Sequence, residues 1–218
     1  MRSETNGAAI AADLARRRCW LFDMDGTLTR AMHDFDAMRT ALGLPAGVPI
    51  LEALAALEPS VAREKRRALD AMELDMARAA VAQPGAAALL GHLASRGARL
   101  GIVTRNGRAI ADATLAACDL ARFFTPESIV SRDCAVAKPD PAGVRVALSR
   151  LGASPVESVM VGDYRFDLEA GRRGGLATVH LDVAREFPWP GLTDLGIGSL
   201  DELLEALRRA DDRPRDEG

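Results

Sequence analysis

The sequence predicts an α/β fold: a doubly wound parallel sheet, a Rossmann-like core, interrupted by one small all-helical insert. Three observations lead there. Short apolar runs recur along the chain, each ends in a polar residue, and helical patterns separate them. The runs are near-continuous rather than alternating, which suits strands covered on both faces. One gap between runs is far longer than a crossover connection needs.

CWLFD at 19–23 is the first run. RLGIVTR at 99–105, SIVSR at 128–132, SVMVGD at 158–163 and ATVHLD at 177–182 follow. Between them lie PGAAALLGHLASRG, GRAIADATLAACDL, DPAGVRVALSRLG and RFDLEAGRRGG. Each carries apolar residues at three- and four-residue spacing and stops near a glycine or a polar residue. Strand and helix alternate, and right-handed crossovers then place helices on both sides of the sheet.

The exception comes after the first run, where about seventy residues pass before the next, against a usual crossover of a dozen or more. Within them 34–43, 50–58 and 60–82 read as helices, LGLPAGVP is a break, and Pro84-Gly85 closes the segment. The expected division is a core of 1–30 and 84–218 and a helical insert of 31–83. Ligands of open α/β sheets bind outside the carboxyl ends of the strands. An insert on the loop after strand one therefore lies over the site like a lid.

Composition narrows the class. With 48% apolar and 27% charged residues, the 218-residue chain should fold rather than stay disordered. A net charge of −3 leaves no basic excess for nucleic acid. No run approaches the ~20 apolar residues of a membrane span. Arg16-Arg17-Arg18 is not followed by an unbroken apolar stretch, because Asp23 and Asp25 interrupt it, so it does not read as a signal peptide. Cys19, Cys118 and Cys134 are odd in number and far apart, and two lie in apolar runs, which suits reduced core thiols and a cytoplasmic location. The tail DDRPRDEG is expected to fray.

The polar residues that close the runs carry the chemistry. Asp23 and Asp25 end the first, Thr104 the second and Asp163 the fourth, with Asp167 one helical turn on. Lys138, in AVAKPDP, is expected to open the helix after the third. Of 28 basic residues only Lys65 and Lys138 are lysines, so a lysine among strand-end carboxylates stands out. An ammonium can bridge a carboxylate and a phosphate as a point charge. Adjacent carboxylates at the end of a core strand are costly unless something pairs with them. Asp23, Asp25 and Asp163 are hard oxygen ligands suited to Mg²⁺. Asp23 can then attack phosphorus, and Asp25 can protonate the leaving oxygen and later take a proton from water. Gly26 permits the sharp turn between them, Thr104 can donate to a phosphate oxygen, and Lys138 balances charge.

FDMDGTLT, IVTRN, AKPDP and GDYRFDLEAG resemble, in order, the four motifs of the haloacid dehalogenase-like hydrolase superfamily. The insert is similar to the small cap of the subgroup that includes phosphoglycolate phosphatases and β-phosphoglucomutases. The resemblance implies Asp23 as nucleophile, Asp25 as acid and base, and Thr104 and Lys138 as phosphate stabilisers. It implies Mg²⁺ held by Asp23, Asp163 and the main-chain carbonyl of Asp25, with Asp167 a ligand or a support through water. Arg30 and His33 at the hinge, and Arg105 and Asn106 beside Thr104, are the candidate substrate contacts.

The family's founding dehalogenases lack the second aspartate, so Asp25 favours phosphoryl transfer. The phosphonate-cleaving relatives use a cap lysine; here that could only be Lys65, which stands among Arg63, Arg66 and Arg67 and reads as a solvated face. The resulting expectation is a Mg²⁺-dependent phosphatase of a small phosphorylated metabolite. The alternatives are a phosphosugar mutase and a non-enzymatic phospho-aspartate signalling domain; the latter has about half this length and carries its aspartate on the third strand. His92 and His180 read as structural, Met72 and Met76 as insert core. The Trp189 loop reads as either a rim of the site or a packed surface loop.

Overall fold

Cys19–Phe22 forms strand β1 at the middle of a six-stranded sheet in which every pairing is parallel. The computed structural model describes residues 2–30 and 35–212, so His33 and the tail from 213 onward lie outside the described residues. β2 (Arg99–Val103) and β3 (Ile129–Val130) extend the sheet on one side of β1. β4 (Ser158–Gly162), β5 (Ala177–Leu181) and β6 (Leu195–Ile197) extend it on the other. The order β3-β2-β1-β4-β5-β6 is that of a doubly wound sheet, with its topological switch beside β1.

Both faces of β1 are buried, as the continuous apolar run requires. Trp20 and Phe22 face one layer, with Leu14 of α1 (Arg2–Ala15), Leu89 and Leu93 of α5 (Ala86–Ser95) and Leu203 and Leu207 of α9 (Leu200–Asp211). Cys19 and Leu21 face the other, with Val144 and Leu148 of α7 (Ala142–Leu151) and Ala170 of α8 (Arg165–Gly174). Each such large side chain taken fully from water contributes about 2–3 kcal/mol.

The insert contains α2 (Phe35–Ala41), α3 (Ile50–Ala55) and α4 (Pro59–Arg78). It has an apolar cluster of its own, built on Met38, Leu42, Ile50, Leu54 and Leu69, with Met72 and Met76 packed against it as expected. The chain segments that enter and leave it pair with each other: Arg30 N–H donates to Val81 O and Gln83 N–H to Leu28 O, each at 2.9 Å. α4 lies against α6 (Arg108–Ala117) of the core.

Several local expectations need correction. Lys138 does not open α7, which begins at Ala142; it sits in the loop before it. Lys65 is not on a fully solvated face: it is half-buried and donates to the Leu42 carbonyl, tying α4 to the end of α2. The three cysteines are free, but only Cys19 is buried; Cys134 is exposed. No helix among the described residues is long and apolar enough to cross a membrane.

Candidate active site

The site starts where β1 stops. Asp23 N–H donates to Val161 O of β4 at 2.9 Å, so the strand pairing continues as far as the first aspartate. The chain then coils on itself, with the N–H groups of Leu28 and Thr29 both donating to Met24 O at 2.9 Å. Gly26 makes this turn at φ +85°, and a Cβ there would lie 2.2 Å from Asp163 Oδ2. Only glycine fits between the two acidic segments.

β4 delivers the second half. Asp163 follows Gly162 and accepts from Thr27 Oγ1 at 3.0 Å, which links the two strand ends. Its carbonyl lies 3.2 Å from His180 Nε2. His180 is buried, as expected of a structural histidine, against the rings of Phe187 and Trp189. Trp189 also meets Tyr164 edge-on, so its loop is a packed one beside the site. Asp167, in the first turn of α8, folds back to accept from Tyr164 N–H at 3.0 Å. A Cβ on Gly162 would sit 2.2 Å from Asp167 Cβ, so that approach also depends on glycine.

Lys138 lies at the centre. Its ammonium is buried and donates to Asp23, and it stands 2.6 Å from Asp167 Oδ1. Asp23, Asp163 and Asp167 each offer a carboxylate oxygen, all within 4.8 Å of one another. Burial holds the Asp23 carboxyl well above its usual range, and Asp167, Asp163 and Asp25 push the same way against Lys138. Asp163 is pushed up to about 7, by burial first and Asp167 next. Burial pulls Lys138 down, but Asp167 and Asp23 outweigh it and leave it raised. Three carboxylates against one ammonium leave a deficit of two positive charges. A divalent cation with hard oxygen preference fits that deficit.

Asp25 is placed differently. Its carboxylate turns toward Asn106, whose Nδ2 donates to Asp25 Oδ2 at 2.6 Å. Asn106 N–H in turn donates to Thr104 Oγ1 at 3.1 Å, so Thr104, Asn106 and Asp25 form one connected strip. A small cavity of about 10 Å³ lies over it, bounded by Asp25, Arg30 and Asn106 below and by Glu73 and Met76 of the insert above. That is room for about one water. A wider groove of about 670 Å³ opens between α3 and α4 of the insert and the start of α6, but none of the clustered carboxylates lines it.

Of the candidate substrate contacts, Arg105 is engaged elsewhere. Its guanidinium pairs with Glu52 of α3 at 2.7 Å, donates to the Lys138 carbonyl and stacks over Phe166. Arg132 was missed in the sequence. It follows β3, its side chain is only 8% exposed, and it pairs with Asp70 and Glu73 of α4. Nothing in SIVSR marks it, because its partners lie some sixty residues away in the insert.

The haloacid dehalogenase-like hydrolase family model matches residues 18–175. An uncharacterized hydrolase of Saccharomyces cerevisiae, YOR131C, is 32% identical over 200 residues, which cover 86% of this chain and 89% of that protein. A plasmid-borne phosphoglycolate phosphatase of Cupriavidus necator is 31% identical over 211 residues, covering 86% of this chain and 90% of that one. Among solved structures, CbbY from Rhodobacter sphaeroides in complex with phosphate superposes with a TM-score of 0.70 at 23% identity. The match spans 88% of this chain and 99% of CbbY, and it shows the shared fold.

Proposed function

The chain belongs to the haloacid dehalogenase-like hydrolases, and from that premise we propose that it is a Mg²⁺-dependent phosphatase acting on a small phosphorylated metabolite through an aspartyl-phosphate. The observation that carries the reading is the set Asp23, Asp163, Asp167 and Lys138, of which Asp23, Asp167 and Lys138 are buried, with Asp25 two residues from Asp23 and its carboxylate held by Asn106. Asp23 is thus paired with the ammonium, and Asp25 is held by the Asn106 amide.

In the first step a carboxylate oxygen of Asp23 bonds to phosphorus as the phosphorus–leaving-group bond breaks. The proton on Asp25 passes to the departing oxygen. In the second step water attacks the same phosphorus, Asp25 accepts a proton from it, and Asp23 leaves as carboxylate. Lys138 and the Thr104 hydroxyl balance charge on the phosphoryl oxygens. Asp23, Asp163 and the Asp25 carbonyl would hold Mg²⁺, with Asp167 as a further ligand or support. The ion supplies positive charge toward the phosphoryl oxygens when bound.

The relatives at or above 30% identity with a named activity include phosphoglycolate phosphatases of Rhodospirillum rubrum and Cupriavidus necator, which favours hydrolysis over transfer back to a sugar. The test is phosphate release over a panel of phosphorylated metabolites that includes 2-phosphoglycolate, run beside isomerisation of a hexose phosphate. Release of phosphate with no isomerisation is expected. Isomerisation without net release would replace the phosphatase by the mutase, and the absence of both activities would overturn the reading.

A further inference from the structure

Arg132 connects three parts of the molecule that the chemistry above needs to act together. Its Nη2 donates to Glu73 Oε2 at 2.9 Å and to Asp70, both on α4 of the insert. Its Nη1 donates to Glu73 Oε1 at 3.3 Å and to the Arg105 carbonyl at 3.2 Å. Its backbone N–H donates to the Asn106 carbonyl at 3.0 Å. Residues 105 and 106 are therefore held by Arg132 from two sides, and Asn106 holds the Asp25 carboxylate at 2.6 Å.

A guanidinium this buried is stable only when its donors are satisfied. Here the satisfaction is divided between the insert and the 104–106 loop. Glu73 is itself buried and bounds the cavity above Asp25. If the insert lifts, Arg132 loses both carboxylates, and its guanidinium loses the partners that hold it in place against the Arg105 carbonyl. The planar fork is also specific, since one ammonium could not span Glu73 and the Arg105 carbonyl with the same two-sided geometry.

We propose that Arg132 is a positioning residue that links seating of the insert to the placement of Asn106, and through Asn106 to the orientation of Asp25. The inference rests on Asp25 being the acid–base group of the proposed reaction.

The test separates leaving groups. An aryl phosphate departs without help from an acid, whereas an alkyl phosphate needs the proton from Asp25. kcat/KM reports the steps up to that departure. For Arg132→Gln we expect kcat/KM on glycerol 2-phosphate to fall about 100-fold, the cost of a misplacement near 1 Å. On 4-nitrophenyl phosphate the fall should be at least about tenfold smaller. Arg132→Lys should recover part of the alkyl loss. Equal losses on both substrates, or no loss on either, would overturn the proposal. If Arg132→Gln does not fold, Asp70→Asn removes one insert partner at a half-exposed position and should give the same leaving-group dependence at smaller size. Should the wild-type protein hydrolyse neither ester, the phosphatase reading fails, and the side-chain amide resonance of Asn106 still decides this inference. In a folded Arg132→Gln protein that resonance should move, and an unmoved one contradicts the coupling.

Discussion

Mg²⁺ should stabilise this protein much more at pH 8 than at pH 5, because the carboxylate cluster binds protons in place of metal at the lower pH. Asp163 keeps its proton up to about 7 in the fold against an ordinary 3.8 in the unfolded chain. Between those values the folded state binds more protons than the unfolded one, so the unfolding free energy falls as pH rises through the interval. Between pH 5 and pH 8 about 2 units of that interval are crossed, and at about 1.4 kcal/mol each they amount to about 3 kcal/mol for this one group. Asp23 is displaced in the same direction, so the sign is common to the pair. A bound divalent cation removes the penalty by offsetting the ionised carboxylates, and its own binding weakens where they are protonated. For a chain of this size about 3 kcal/mol corresponds to about 8 °C in Tm. The assay is thermal unfolding at pH 5 and pH 8, with EDTA and with excess Mg²⁺. The Mg²⁺-induced rise should be about 8 °C larger at pH 8. Equal rises at the two pH values, or none at pH 8, would refute the reasoning.

Three further outcomes follow from the same cluster. Asp23→Asn should leave the fold intact and reduce turnover to below a few per cent, and without metal at pH 8 it should melt higher than the wild type because one mutually repelling carboxylate is gone; a metal-free melting point below that of the wild type would contradict this. Lys138→Met should cost about 3–5 kcal/mol in urea denaturation at pH 8. The cost should be smaller at pH 5, where the carboxylates can take up protons, and a pH-independent cost would count against a charge-balancing lysine. Gly26→Ala places a Cβ 2.2 Å from Asp163 Oδ2 at φ +85°, so it should destabilise by more than about 1 kcal/mol and abolish the Mg²⁺-induced rise in Tm. A full metal response in that variant would show that Asp163 is not needed for it.

The core strands were legible because each is buried on both faces, so CWLF, RLGIV, SVMVG and ATVHL read as unbroken apolar runs. The strand-end residues were legible for a related reason: a parallel sheet brings its carboxyl ends to one edge, so Asp23, Lys138, Asp163 and Asp167 could be gathered without knowing a single contact. β6 escaped because three residues, two of them only half-buried, carry too little pattern. α9 has a signal of its own, Ser199 accepting from Glu202 N–H ahead of leucines at 200, 203, 204 and 207, but it follows no strong apolar strand run that would draw attention to it. α1 is weaker, since its stretch contains Asn6 and Gly7 and mixes small with polar residues. Arg105 and Arg132 show where local reading ends. Arg105 sits beside Thr104 in sequence yet spends its charge on Glu52, and Arg132 spends its own on Asp70 and Glu73. Both pairings join the insert to the core, and they depend on where α3 and α4 seat against it.

The central claim is that Asp23 carries the phosphoryl group, and trapping that group is its most direct test. Wild-type protein would be acid-quenched during turnover of a substrate labelled in its phosphate, then reduced with borohydride and digested. An acyl phosphate on Asp23 predicts label that hydroxylamine releases, and conversion of Asp23 alone to homoserine in the peptide that spans Cys19–Arg30. Label on another residue, or a pre-steady-state burst of the leaving alcohol with no label on the protein, would contradict the account.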